Sequence, residues 1–330
     1  MPRPAHIVCA VAMIACGGEP RAKLPATPAA APSTVTERML AMLPQGAQVV
    51  VELDLARLRA NPVIGEVVIR ALAERTTELP AGVPASPLAA ADQVVLAAYG
   101  VGTAQAAMLT VLAAGHELAG TTKLADGFYA VGPPEWVEQV QQRVALATTG
   151  EAKFAISAAP ELLELRRHAM PEHAPGASLR VTARLPFDAR IALARQTGLD
   201  AAPAQLSAWA DVADDLALVV DCDATDPGSR SAGAPHGSGR GSDASRRLLA
   251  SLRGMLAAVS GEAAVRALGL ASSLDGARLV AQGTWVRTII AIGPAHLHRI
   301  VERAAALLGA AAPAAPISPP AASPRGDHAS

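Results

Sequence analysis

The stretch Gln48-Val49-Val50-Val51-Glu52-Leu53-Asp54-Leu55-Ala56-Arg57-Leu58 combines an apolar run with a residue that can start a helix. Its first six residues are rich in β-branched side chains, a composition typical of a buried strand. Asp54 then predicts the start of a helix, because its carboxylate can accept hydrogen bonds from the free backbone N–H groups of a first helical turn. The stretch therefore predicts a strand that passes directly into a short helix.

Two pairs of similar stretches indicate a repeat. Residues 178–185 form a predicted strand, and Pro186-Phe187-Asp188-Ala189-Arg190-Ile191 leads from it into a helix, as 53–58 does in the first half. In the second pair, Tyr129-Ala130-Val131-Gly132-Pro133 and Ile290-Ala291-Ile292-Gly293-Pro294 each precede an amphipathic helix. Recurrence of elements in one order is the sign of a duplication. Chance similarity in an alanine-rich chain is the alternative, and both interpretations stay open at this point.

Apolar runs between these stretches predict antiparallel hairpins. One hairpin joins residues 94–101 to 106–113 across a glycine-containing turn, and another joins about 205–212 to 215–223 around Asp214-Asp215. Because hairpins alternate with amphipathic helices, the predicted fold class is α+β, with antiparallel sheets and helices packed on one face of them. The repeated stretches further allow two related halves.

The composition of the chain predicts its domain boundaries. The first half covers residues 36–175 and the second covers 176–309. Inside the second half, 224–243 is rich in Gly and Ser and predicts a disordered loop, while the Pro-rich residues 310–330 predict a disordered tail.

The N-terminus has the parts of a secretory signal. An apolar run at 7–15 follows Arg3, ends at Cys16 and precedes Gly17-Gly18. The run is too short to span a bilayer, which takes about 20 apolar residues. Met13-Ile14-Ala15-Cys16 resembles the lipobox of bacterial lipoproteins. This resemblance implies that residues 1–15 are a signal peptide, that Cys16 is lipidated, and that 16–35 form a flexible tether.

The lipobox resemblance also implies a location in the cell envelope. In the lipoproteins that this chain resembles, Gly17 instead of aspartate after the cysteine favours the outer membrane, where the host has one. Cleavage without lipidation, which would leave a freely secreted protein, is the alternative. The body of the chain resembles alanine-rich bacterial lipoproteins of unknown function, and that resemblance implies no activity.

Composition argues against several classes of function. The chain has 330 residues and a net charge of −1, with no long basic block, so it lacks the electrostatic footprint of a nucleic-acid-binding protein. Aromatic residues make up only 2% of the chain, which disfavours the stacking surfaces that sugars and nucleobases use. The expected partners are the membrane, through the lipid on Cys16, and an envelope protein.

Candidate chemical groups do not assemble into a known motif. Asp221, Asp223 and Asp226 lack the glycine and the closing glutamate of a calcium loop, so we expect them to be solvated at the end of a strand. His168 and His173 flank a proline near a predicted helix end, where cationic side chains suit the helix dipole. The sequence therefore predicts no catalytic, cofactor-binding or metal-binding residue.

Cys222 is the cysteine that remains in the folded body once the signal is removed and Cys16 is lipidated. We expect it to be a half-buried small hydrophobe and not a reactive thiol. Gly-x-Ser-x-Gly, the signature of a nucleophile elbow, does not occur in the chain.

These observations favour a non-catalytic binding or assembly element of the envelope. One alternative is a periplasm-facing binder of an apolar small molecule, held in a cavity between the sheet and the helices. The other is a hydrolase of an unrecognised family, which would need polar residues clustered in a cleft with displaced pKa values.

Overall fold

The computed structural model describes residues 34–74, 85–148, 160–169, 176–197, 199, 202–224 and 238–310. The strands of this described part are β1 Val49–Asp54, β2 Gln93–Tyr99, β3 Ala107–Ala113, β4 Thr122–Ala125, β5 Phe128–Val131, β6 Leu179–Arg184, β7 Gln205–Val212, β8 Leu216–Asp223, β9 Arg278–Gln282 and β10 Trp285–Ile292. Its helices are α1 Val35–Met42, α2 Leu55–Ala60, α3 Gly65–Glu74, α4 Ala85–Ala90, α5 Pro134–Thr148, α6 Pro160–Arg166, α7 Phe187–Thr197, α8 Ser238–Gly261, α9 Ala263–Leu268, α10 Ala271–Asp275 and α11 Pro294–Ala310.

These strands form a single antiparallel sheet in the order β4-β5-β3-β2-β1-β6-β7-β8-β10-β9. The predicted α+β class is confirmed. Both predicted hairpins are present, as β2 with β3 and as β7 with β8. None of the described helices is long and apolar enough to cross a membrane.

The two halves of the sheet have the same topology. Counted outward from the centre, the first half runs β1, β2, β3, β5, β4 and the second runs β6, β7, β8, β10, β9. In each half the fifth strand in chain order therefore lies inside the fourth, and the fourth forms the edge of the sheet. The halves meet where β1 pairs antiparallel with β6, with Val51 opposite Val181. This arrangement has an approximate twofold axis normal to the sheet at that pair. The common topology supports the interpretation that the chain is duplicated.

Helices contact both faces of the sheet, which corrects the expectation of helices on one face. We call the face that carries Val50 and Glu52 the front face and the opposite one the rear face. On the front, α1, α5 and α6 pack on one core. On the rear, α2, α3, α4, α8, α10 and α11 pack on three smaller cores. The reason is visible in β2, where the consecutive residues Val94 and Val95 are both fully buried, so the strand is apolar on both sides.

The local structure after the first strand follows the sequence. Asp54 caps α2, since its Oδ1 accepts a hydrogen bond from the backbone N–H of Arg57 at 2.9 Å. In the second half α7 begins at Phe187, so Asp188 lies in the first turn instead of capping the helix. The repeat is therefore stronger in topology than in sequence.

Some of the predicted flexible segments can be compared with the structure. Helix α8 begins at Ser238, so the last six residues of the loop predicted at 224–243 are helical. Residues 225–237 lie outside the described residues, as do 311–330, the signal, Cys16 and the tether up to residue 33. The predictions for those segments stay predictions.

Candidate functional site

Four polar side chains form a row across the front face of the second half. Thr182 lies opposite Ser207, Ser207 opposite Asp221, and Asp221 opposite Arg287, on the adjacent strands β6, β7, β8 and β10. Because side chains alternate between the faces of a strand, all four point to the front. We call these four residues the polar row. Thr182, Ser207 and Asp221 are buried.

Asp221 lies between Ser207 and Arg287 in the polar row and is only 1% exposed. Arg287 binds both of its oxygens, with Nε donating to Oδ1 at 2.8 Å and Nη2 donating to Oδ2 at 2.7 Å. A carboxylate buried to this degree needs such a partner, because an isolated buried charge is very costly. The side-chain hydrogen bond to Asp221 in turn raises the pKa of Arg287.

The turn that follows α6 closes over this row. His168 places its Nδ1 at 2.9 Å from Oδ2 of Asp221, and its ring stacks on Trp285 with centroids 3.8 Å apart. The backbone N–H of Ala169 donates to Oγ of Ser207 at 3.3 Å. Arg287 also donates from Nη2 to the carbonyl oxygen of His168 at 3.2 Å. Side chains and backbone of the turn are therefore both held by the row.

A second ion pair holds α6 itself to the centre of the sheet. Arg166 donates from Nε and Nη2 to the two carboxylate oxygens of Glu52, at 2.6 and 2.8 Å. Both side chains are largely buried, with 14% and 7% exposed. Arg180 lies opposite Glu52 on β6, and burial, with the positive charge of Arg166, lowers the pKa of Arg180.

Residues 160–169, which we call the connecting segment, thus bind strands from both halves. Arg166 reaches β1, while His168 and Ala169 reach β8, β7 and β10. The apolar side chains Leu162 and Leu165 pack on the front core. The segment joins the first half to the second in the chain, and these contacts make it a brace across the junction between them.

The His168–Asp221 pair has one feature of an acid–base site, a carboxylate that orients an imidazole. Here, however, the charge of Asp221 is already shared with Arg287. Ser207, the hydroxyl nearest to Asp221 in the row, is 1% exposed and accepts the hydrogen bond from Ala169. Among the described residues, no group of three or more His, Cys, Asp or Glu could hold a metal ion. The contacts of His168, Asp221 and Ser207 therefore suit the attachment of residues 160–169 to the sheet better than they suit acid–base catalysis.

The structure corrects the expectation for the acidic residues of β8. Asp221 and Asp223 were expected to be solvated at the end of a strand, yet both are buried within it. Their alternation with the apolar Val220 and Cys222 was the signal that could have placed them on a buried polar face. Asp226 and His173 lie outside the described residues.

Cys222 points to the rear face, where it packs in a core with Leu248, Leu252 and Val286. It is 2% exposed, and burial raises the pKa of its thiol to about 12. Cys222 was expected to be half-buried, and it is buried more deeply than that, as a small side chain inside an apolar core. Cys16, the predicted lipidation site, lies outside the described residues.

Comparisons with known proteins reveal little similarity. No protein family matches the sequence. No curated protein is similar to it. Among solved structures, crystal form I of TP0453 is 9% identical with a TM-score of 0.37, covering 80% of this chain and 96% of TP0453. Crystal form III is 8% identical with a TM-score of 0.39, covering 81% and 97%. Similarity at this level does not bear on function.

Proposed function

We propose that this chain is a lipid-anchored protein of the bacterial cell envelope and that its folded body is a non-catalytic binding or assembly element. The observation that carries the proposal is Met13-Ile14-Ala15-Cys16, directly after the apolar run 7–15. The cysteine thiol would carry the lipid, and the Pro- and Ala-rich residues that follow would let the body stand away from the membrane surface. Gly17 favours the outer membrane as the final location, where the host has one.

The use of charge in the body supports a non-catalytic role. The buried carboxylates of Glu52 and Asp221 are bound by Arg166 and Arg287. These groups hold the connecting segment and the two halves together, so their charge serves the fold. The sheet formed by the ten described strands presents edges and helix faces on which a binding or assembly element could act.

The first experiment measures the intact mass of the protein extracted from the membranes of an expressing bacterium. We expect a chain that begins at Cys16 and carries a diacylglycerol. The Cys16→Ala variant should lose that mass, whereas Cys9→Ala, which changes a cysteine inside the signal, should keep it. An unmodified chain that retains Met1 would overturn the proposal. A cleaved chain without lipid would mean that the protein is secreted instead of anchored.

The assembly role needs a separate experiment. Chemical cross-linking in whole cells, followed by mass spectrometry, should yield one dominant protein species attached to this chain. Absence of any cross-linked protein under conditions that link a known envelope complex would contradict an assembly role. A co-purifying apolar compound in that case would favour the alternative, a binder of apolar small molecules.

A further inference from the structure

The two edges of the sheet are protected to different degrees. At one edge, β4 carries Lys123 and has a register shift between Lys123 and Ala125, and both features discourage pairing with another strand. At the other edge, β9 pairs with β10 in unbroken register, has neither proline nor lysine, and carries its charged residue, Arg278, at its first position. Among the described residues, β9 is paired on that one side only. We propose that β9 is the interface through which two copies of this chain form a dimer.

The turn between β9 and β10 determines which backbone groups of β9 face outward. Two residues, Gly283 and Thr284, connect the strands, and Gly283 has the positive φ of 60° that such tight turns favour. The residues that close a turn of this kind, Gln282 and Trp285, are a hydrogen-bonded pair. Hydrogen-bonded positions alternate along an antiparallel ladder, so the N–H and C=O groups of Leu279 and Ala281 point away from β10.

The outward N–H and C=O groups of one β9 strand can bond to the same groups of a second copy that is related to it by a twofold rotation. If two β9 strands pair antiparallel with Val280 opposite Val280 of the second copy, Leu279 lies opposite Ala281 in both directions. Each of these two pairs exchanges two backbone hydrogen bonds, which makes four in total. No other symmetric register that satisfies the outward groups pairs all five residues of β9.

The side chains agree with this register. The charged residue of β9, Arg278, comes to lie opposite Gln282 of the second copy, so like charges do not face each other. Val280 meets Val280 on the front face, and the partly buried Leu279, which packs on the α8 core, meets Ala281 on the rear. The dimer thus repeats, at the edge, the antiparallel junction that β1 and β6 form in the centre.

Disulfide trapping tests the register directly. In the full chain with Val280→Cys, the two Cα atoms would lie about 4.5 Å apart across the twofold axis, within the range that a disulfide spans. Mild oxidation should give a covalent dimer, and mass spectrometry should identify a peptide linked through position 280. Leu279→Cys is the matched control. Its copies would lie diagonally, at more than about 7 Å, and should not link.

Sedimentation of the full chain over a wide range of concentration tests the hydrogen bonds. Ala281→Pro removes an N–H that points away from β10, so the monomer should keep its circular dichroism spectrum and unfolding midpoint. The dimer should weaken by about thirtyfold, since two hydrogen bonds are lost. Ala281→Ser keeps the N–H and should associate as the wild type does.

The two experiments distinguish the β9 dimer from its alternatives. A chain that stays monomeric at every concentration would overturn the proposal, as would a dimer that Ala281→Pro does not weaken. If Ala281→Pro fails to fold, the disulfide result decides, because equal linking of Val280→Cys and Leu279→Cys would exclude the register. The disulfide is scored by the linked peptide, so a link through Cys9 or Cys16 is not counted and the result does not depend on whether Cys16 is lipidated.

Discussion

The two halves of the sheet place opposite kinds of side chain at equivalent positions. Counted outward from the central pair, Val95, Val111 and Ala130 of the first half correspond to Ser207, Asp221 and Arg287 of the second. The first three belong to the apolar front core, and the second three belong to the polar row. One topology thus supports either a hydrophobic core or a buried carboxylate bound by a partly exposed arginine at the same place.

The helix that follows the fifth strand packs on opposite faces of the sheet in the two halves. Helix α5 packs on the front, where Val137 and Val140 contact the core that includes Val111 and Ala130. Helix α11 packs on the rear, where Leu297 joins Ile290 and Ile292. A helix gains stability by burying its apolar stripe, and the polar row occupies the part of the front face of the second half that is equivalent to the surface under α5. Both corners are Gly-Pro, so the local turn does not by itself decide on which face the helix lies.

The Gly-Pro corners illustrate the same point. Val131, just before the first corner, is equivalent in the ladder to Thr288, whereas the second corner follows Ile292, four residues further along. The matched stretches are thus displaced by four residues relative to the sheet. Their similarity predicts a strand followed by a helix in both halves, but not the side of the sheet on which the helix packs.

The largest expected effect comes from moving a charge into the first half. Val111→Asp puts a carboxylate at the position equivalent to Asp221, where Val111 is fully buried and no arginine stands opposite it. We expect a loss of at least about 4 kcal/mol in the free energy of unfolding, measured by urea denaturation. Val111→Ala, the control for lost volume, should cost about 2 kcal/mol. A Val111→Asp variant as stable as Val111→Ala would show that the first half tolerates the polar pattern.

The second effect comes from removing the cation of the polar row. Arg287→Ala leaves Asp221 buried with His168 as its remaining side-chain partner, and we expect a loss of about 3 kcal/mol. The double variant with Asp221→Val and Arg287→Ala installs the residues of the first half and removes the stranded charge. It should be more stable than Arg287→Ala alone in the same denaturation experiment. If the double variant is the less stable of the two, the buried charge is not the source of the loss.

The smallest effect concerns pH and the rear face behind the row. The pKa of Cys222 is raised to about 12 in the folded chain, against about 9 when unfolded. Above pH 9 the unfolded chain therefore binds fewer protons than the folded one, and stability should fall by up to about 1.4 kcal/mol per pH unit. Below pH 9 this contribution is complete and constant. Cys222→Ala should flatten the decline in denaturation midpoints between pH 9 and 10. An equal slope in both chains would refute the assignment to Cys222.

Long apolar strands were predictable from the sequence, and short edge strands were not. The runs that became β1, β2, β3 and β8 each contain at least three consecutive apolar residues, and β7 is mostly apolar although Ser207 and Asp211 interrupt it. The two edge strands, Thr122–Ala125 and Arg278–Gln282, are short and partly exposed, so they carry no comparable pattern. They escaped the sequence analysis for that reason.

The polar row was also beyond the reach of the sequence. Asp221 and Arg287 lie 66 residues apart, and His168 lies 53 residues before Asp221. Nothing local joins them: the pairing of β8 with β10 places Asp221 opposite Arg287, and the packing of the turn after α6 brings His168 to Asp221. A charged residue in a strand is predicted to face solvent when its hydrogen-bond partners cannot be identified from the sequence.

The α+β class, the central strands and the helix start at Asp54 followed from local patterns in the chain, because hydrophobic period and capping act over a few residues. The resemblance of residues 13–16 to a lipobox was likewise readable from the chain, because a lipobox is a contiguous motif. The tertiary structure alone decided the common sheet, the placement of α5 and α11 on opposite faces, and the pairing of Asp221 with Arg287. Those features depend on burial and charge compensation between residues that are distant in the chain, and such contacts exist only once the strands have assembled.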